Sequence, residues 1–246
     1  MGFMRSKLLF LPFLIAIVGL SMMGERAPVQ MVGSAKADGP VVVELFTSQS
    51  CSSCPPADAL LGELAARDTD IIAFSCHVTY WDHLNWRDTM SLKACTNRQR
   101  AYAGFMGKRQ VYTPQMVVNG EHEFVGSNRA EAARTISTRA VAPIQLTLNG
   151  EDIAAALPAL PPGTPKQTLW LLSYKPQHTQ DIPSGENRGR TISYTNSVLT
   201  LDQVGVWDGH AAQRTFKKPQ SSVPDAGYAL IAQPQDFGTV SAAGKL

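Results

Sequence analysis

Cys51 and Cys54, with only Ser52 and Ser53 between them, are the residues of this chain best placed to do chemistry. Two thiols at that spacing close a disulfide within one turn of chain. They come after the apolar run Val41 to Phe46 and precede a helical pattern, so they fall at a strand-to-helix junction. A helix N-terminus stabilises a thiolate and lowers its pKa. A lone CxxC also reads as half a zinc site. A second signal stands about sixty residues on. Thr113-Pro114 lies directly before the apolar run Gln115 to Val118, and a cis bond is expected there. The backbone of Thr113 would then lie beside the cysteines, open to an incoming peptide. In that reading Cys51 is the exposed attacking thiolate and Cys54 the buried resolving thiol. The Pro55-Pro56 pair is welcome only in a first helical turn, so the helix is expected to begin near Ser53.

Other residues could serve the dithiol. Glu44 stands inside an apolar strand, where a buried carboxylate with raised pKa could pass a proton to Cys54. His77, near the end of the second strand, could complete a Cys2His copper or zinc site with Cys51 and Cys54. The competing reading is a hydrogen-bonded core histidine, favoured because no fourth ligand is evident. Tyr80, Trp81 and Trp86 lie in one aromatic loop and either frame a substrate groove or fold inward as a small core. Cys76 and Cys95 remain, either as a second, structural bridge or as free thiols. The bridge is preferred, because the second helix should pack on the second strand.

The positioning elements come from periodicity. Val41 to Thr47 is a strand covered on both faces, and Ala57 to Arg67 a helix with Leu60, Leu61, Leu64 and Ala65 on one face. Asp70 to Val78 is a strand and Ser91 to Met106 a helix. Gln115 to Asn119 and Glu121 to Val125 form a hairpin about Asn119-Gly120, and Ser127 to Val141 is a closing helix. The order strand, helix, strand, helix, strand, strand, helix is a thioredoxin-like topology over residues 38–142. After Pro143 come repeated prolines and short β-rich runs: Ile144 to Leu148, Thr168 to Tyr174, Arg190 to Tyr194 and Gly227 to Ala232. They predict a mainly β, sandwich-like domain over residues 143–246. Gly185 to Gly189 (GENRG) reads as a turn joining two of its strands, placed to dock on the first domain.

The N-terminus reads as an export signal. Arg5 and Lys7 precede the apolar stretch Leu8 to Leu20, and Ala35-Lys36-Ala37 offers a cleavage site. Residues 1–37 are therefore expected to be a signal peptide, with a retained anchor as the alternative. The net charge of the chain is +2, and residues 1–37 hold four of its basic residues and one acidic residue. Residues 38–246 are thus close to neutral and carry no basic stripe, which argues against nucleic acid as a partner.

The segments ELFTSQSCSSCPPAD, CHVTYWDHLNW, RQRAY, VYTPQMVVNG and GENRGRT resemble a family of exported bacterial thioredoxin-like proteins catalogued only as a domain of unknown function. The resemblance covers about residues 41 to 240. The chain departs from the family pattern at Thr79, where that pattern has an acidic residue, and at Asn85, where it has a glycine. The resemblance implies a thioredoxin-like fold with an appended β domain and no settled activity. The residues themselves point to a periplasmic or secreted thiol–disulfide oxidoreductase working on exported thiol or disulfide proteins without a cofactor. Its membrane contact, if any, would be through an uncleaved N-terminal segment. The alternatives are a copper- or zinc-binding module on the same cysteines and a non-catalytic interaction protein.

Overall fold

The structure is a computed structural model that describes residues 1–2, 39–67, 70–138, 140–221 and 223–246. The expected export signal, with its cleavage site before Asp38, lies outside these. Strand β1 (Val41–Thr47) is buried at every position and pairs in parallel with β2 (Ile71–His77). On its other side β1 pairs antiparallel with β3 (Gln115–Val118), which forms a hairpin with β4 (His122–Val125). Helix α1 (Pro55–Arg67) packs on one face of these strands, through Ala57, Leu60, Leu61 and Leu64 against Val43, Leu45, Ala73 and Met116. Helix α3 (Arg129–Ile136) adds Ala132 to the same cluster. Helix α2 (Lys93–Phe105) covers the other face, where Cys95 and Tyr102 meet Phe46, Phe74, Cys76 and Val117. Because side chains alternate along a strand, each buried strand feeds both clusters.

The expected Ser127–Val141 helix is shorter in the fold. Asn128 caps it, its side-chain oxygen accepting from the Glu131 N–H, and β5 (Ala142–Pro143) comes next.

The rest of the chain is mostly strand: β6 (Gln145–Asn149), β7 (Asp152–Leu157), β8 (Gln167–Asp181), β9 (Thr191–Trp207), β10 (Ala212–Lys217), β11 (Gly227–Pro234) and β12 (Ala242–Lys245). One nine-stranded sheet runs β4-β3-β1-β2-β9-β8-β11-β12-β5, and a small sheet runs β10-β7-β6. The small sheet packs on the large one through Ile153, Ala155, Leu157, Leu169, Trp207 and Leu230. The large sheet is continuous across residue 143, because β9 joins β2 in parallel at Ser75 opposite Ser197. Mixed α/β architecture with a large, mostly stranded sheet and few helices is the result.

β8 and β9 extend well past the short runs expected there. They form a long antiparallel hairpin whose far half, from Lys175 to Asp181, alternates polar residues on an exposed surface. Its closing turn reaches over the loop that carries Cys51.

Cys76 in β2 and Cys95 in α2 are joined in a disulfide and buried, nineteen residues apart. Closing a loop of that length removes unfolded-state entropy equivalent to about 3 kcal/mol. Replacing both cysteines with alanine is therefore expected to lower unfolding free energy by about that amount in urea titrations. A loss under about 0.5 kcal/mol would show that the bridge does not constrain the unfolded chain.

Candidate functional site

Cys51 and Cys54 are also joined, with Cα atoms 5.4 Å apart, in the loop between β1 and α1. The prolines explain where the helix starts. Pro55 and Pro56 have no N–H to give, so the first donors are Ala57 and Asp58, both directed at the Cys54 carbonyl (2.8 and 3.1 Å). The helix thus begins at Pro55. Cys54 rather than Cys51 stands at its N-terminus, and the macrodipole favours a thiolate there.

Both sulfurs are covered. Cys51, expected to be exposed, is 1% accessible and Cys54 0%. The turn between β8 and β9 is tied onto the cysteine loop. Asn187 is itself buried, and its amide donates to the carbonyls of Gln49 and Cys51, each at 2.9 Å. The Glu186 carboxylate accepts the Ser52 N–H at 3.1 Å. Arg190 donates to the Asn187 side-chain oxygen at 3.0 Å, fixing which end of the amide faces the cysteine loop.

The aromatic loop is folded inward. Trp86 packs with Ile182, Ile192 and Tyr194, and its indole donates to the Gln49 side chain at 2.9 Å. The Ser50 hydroxyl donates to the Trp86 carbonyl at 2.7 Å. Tyr80 and Trp81 lean on the core beneath α2, and the Trp81 indole donates to the Thr113 hydroxyl at 2.8 Å. These rings brace the cysteine and Thr113 loops.

The Thr113–Pro114 bond is cis. Pro114 is buried beside the start of α1: a Cβ built on Gly126 would meet both the Ala57 Cβ (3.1 Å) and the Pro114 Cβ (3.2 Å). The Pro114 carbonyl accepts from Gly126 at 2.9 Å, while among the described residues the Thr113 backbone makes no backbone hydrogen bond.

Glu44 is on the opposite face of the sheet from α1. Val43 and Leu45 point into the α1 cluster, whereas Phe46 points into the α2 cluster, and alternation sends Glu44 with Phe46. Its carboxylate takes two bonds from Arg98 (2.6 and 2.8 Å) and one from Tyr102 (2.5 Å). Arg98 therefore holds Glu44 in place.

The buried carboxyl on the α1 face is Asp58, which periodicity alone does not single out. It is buried on α1, one turn after Cys54, and among the described residues neither of its oxygens has a hydrogen-bond partner. Burial raises its pKa to about 7, against the opposing pull of His77 and the Thr47 hydroxyl. A signal was available: Asp58 stands three residues before Leu61 and four after Cys54, on the apolar stripe of the helix.

His77 lies on the same face. Its Nδ1 meets Asp88 at 2.8 Å, and Asp88 also accepts the Gln49 N–H at 2.8 Å. Burial disfavours the charged imidazole, but Asp88 outweighs it and the His77 pKa rises. The Tyr194 ring packs edge-on to His77 at 4.9 Å and stacks with His178 at 5.4 Å. Burial, with Lys175 and His77 nearby, pushes His178 down to about 4. Among the described residues the Tyr194 hydroxyl and both His178 nitrogens lack hydrogen-bond partners.

Ser197, His77 and Asp88 form a chain resembling a nucleophile triad, with Ser197 Oγ 3.3 Å from His77 Nε2. Ser197 is fully buried and its hydroxyl is shared with Ser75 at 3.0 Å, so no carbonyl substrate reaches it. The His77 ring nitrogens face Asp88, Ser75 and Ser197, and the two cysteines are bonded to each other. Among the described residues no three His, Cys, Asp or Glu side chains are grouped to hold a metal ion.

Residues 42–233, which carry both disulfides and the covering turn, match one family pattern. The chain belongs to that family, described as Protein of unknown function (DUF1223). Among solved structures it is similar to protein AGR_C_4864 from Agrobacterium tumefaciens, with 29% identity and a TM-score of 0.71. That match covers 85% of this chain and 95% of the other. It also shares a fold with HBP35 of Porphyromonas gingivalis, at 15% identity and a TM-score of 0.53, over 85% of this chain and 74% of that one. No curated protein sequence matches the chain.

Proposed function

We propose that the chain is an exported thiol–disulfide oxidoreductase of thioredoxin-like fold. The observation that carries this reading is a CxxC disulfide at the N-terminus of α1 with the buried Asp58, unpaired among the described residues, one turn behind it. The strand order β4-β3-β1-β2, with α1 and α3 on one face and α2 on the other, supports the fold assignment. Two disulfides in one chain fit an oxidising compartment such as the periplasm or the extracellular medium. Among the described residues no helix is long and apolar enough to cross a membrane.

The exchange runs in two steps. A substrate thiolate attacks Cys51 Sγ, forming a mixed disulfide and expelling Cys54 as a thiolate. The α1 N-terminus stabilises that thiolate, and protonated Asp58 supplies its proton. A second substrate thiolate then attacks the substrate sulfur of the mixed disulfide and releases Cys51. Two substrate thiolates leave as one disulfide, and the chain holds the Cys54 thiol and the Cys51 thiolate, which takes its proton from water. Run backwards, with Asp58 accepting the proton from Cys54, the same steps reduce a substrate disulfide. The open backbone of Thr113 offers an extended substrate a strand to pair with.

The test is the reduction potential of the Cys51–Cys54 pair, equilibrated against glutathione. A value of roughly −120 to −270 mV, together with loss of exchange in Cys51→Ser, is the expected result. A value below about −300 mV would mark a structural disulfide and sink the reading.

A further inference from the structure

We propose that the β8–β9 turn, Ser184 to Gly189, is a gate over the Cys51–Cys54 disulfide, with Asn187 as its latch. The inference rests on the exchange reading and adds a step to it. A thiolate must reach a disulfide sulfur along the S–S axis, yet both sulfurs are buried. The β8–β9 turn is seated on the loop that carries them, held by three hydrogen bonds to the backbone of residues 49–52.

The turn is built to lift. Its contacts with the cysteine loop are polar, and each such bond contributes only modestly when water can replace it. Glu186 and Arg188 at its tip are exposed, and Gly185 meets the Trp86 side chain only at its edge. Gly185 and Gly189 bound it, each with φ of +79°, and can absorb the backbone change that other residues would resist. The base, by contrast, is anchored by Ile182 and Ile192 against Trp86. A groove of about 530 Å³, lined by His83, Asn85, Ser184, Glu186 and Arg188 among others, lies beside the turn and gives it room. The far halves of β8 and β9 thus do more than extend the sheet: they carry a cover to the reactive loop.

The carbonyls of Gln49 and Cys51 and the N–H of Ser52 are the groups the latch occupies. A partner that offers two donors and a carboxylate in the same pattern can replace it, so substrate binding and gate opening compete for the same backbone.

The test tracks reduction of the full chain by dithiothreitol, with thiol labelling and peptide mass analysis to separate Cys51 and Cys54 from Cys76 and Cys95. For the wild type the rate at Cys51–Cys54 should level off as dithiothreitol rises, because opening becomes limiting. In Asn187→Ala the rate should be at least about tenfold higher and stay linear in dithiothreitol over the same range. The exposed Glu186→Ala gives a smaller rise and serves if Asn187→Ala does not fold. A linear wild-type rate, unchanged in both variants, would overturn the gate. The exchange reading fails separately, on the reduction potential: a gated disulfide too stable to exchange would keep the levelling rate and lose the activity.

Discussion

Asp58→Asn is expected to stabilise the protein at pH 8 by up to about 4 kcal/mol relative to its effect at pH 4. The sign is set by where the proton sits. Burial raises the Asp58 pKa from 3.8 to about 7 in the fold. Between those values the native chain holds a proton that the unfolded chain has released. Stability contributed by the protonated carboxyl is therefore complete below about pH 4 and is lost as pH rises through about 7. Each pKa unit is worth about 1.4 kcal/mol, which sets the ceiling. Asparagine has no proton to lose, so its stability does not fall across that window. His77 also has a raised pKa, so its stabilisation by Asp88 is full below about pH 6.5 and is lost as pH rises through its folded value. Asp58 and His77 shift each other, so the difference between wild type and variant reads Asp58 together with its share of the His77 shift. Urea unfolding of both at pH 4, 6 and 8 measures it. An equal difference at all three values would show that the carboxyl does not titrate within the fold. The same substitution should slow exchange at Cys51–Cys54 and flatten its pH dependence near 7, because Cys54 loses its proton partner.

That residue also marks how far the sequence could be read. The CxxC, the Thr113-Pro114 loop and the elements from Val41 to Val125 were legible because they are local: apolar runs, a helical stripe and an Asn-Gly turn. The Cys76–Cys95 pairing was legible too, since it needed only that a helix pack on the strand before it. Glu44 and Asp58 were harder to assign, because the choice depends on which face of β1 meets α1, and one residue of register reverses the answer. Periodicity marks the buried positions of β1 without saying which helix covers each face. The long β8–β9 hairpin was underestimated for another reason. Its outer half, Lys175 to Asp181, contains Pro176 and a run of polar residues, which read as the end of a strand. In the structure Pro176 falls where the ladder skips, opposite Asn196 at φ +50°, and pairing resumes at Gln177 with Thr195. The covering role of Asn187 depends on contacts 136 and 138 residues apart in the chain, which no local pattern encodes.

Arg98→Met should cost about 3–5 kcal/mol of unfolding free energy, the usual penalty for stranding one member of a buried ion pair. Arg98 and Glu44 are 3% and 0% accessible, and the guanidinium gives Glu44 two hydrogen bonds. Its plane also lies over the rings of Tyr102, Trp170 and Phe237, at 5.0, 5.5 and 5.6 Å. Gln233 of β11 donates to the Tyr102 hydroxyl at 3.2 Å, so the cluster ties β1 and α2 to strands from the far side of the sheet. Removing Arg98 leaves a carboxylate in an apolar core with only Tyr102 as donor. Removing both charges in Glu44→Leu/Arg98→Met should restore much of the loss, because a buried pair and a well-packed apolar pair are often close in stability. Urea midpoints at pH 7, with the slope unchanged, measure both variants. A double variant as unstable as Arg98→Met would mean that the rings around the guanidinium, rather than the ion pair, hold the site. The functional expectation is the opposite of that for Asp58. The pair faces α2, so the folded double variant should reduce at Cys51–Cys54 at the wild-type rate. A slowed rate there would place Glu44 back among the groups that serve the dithiol.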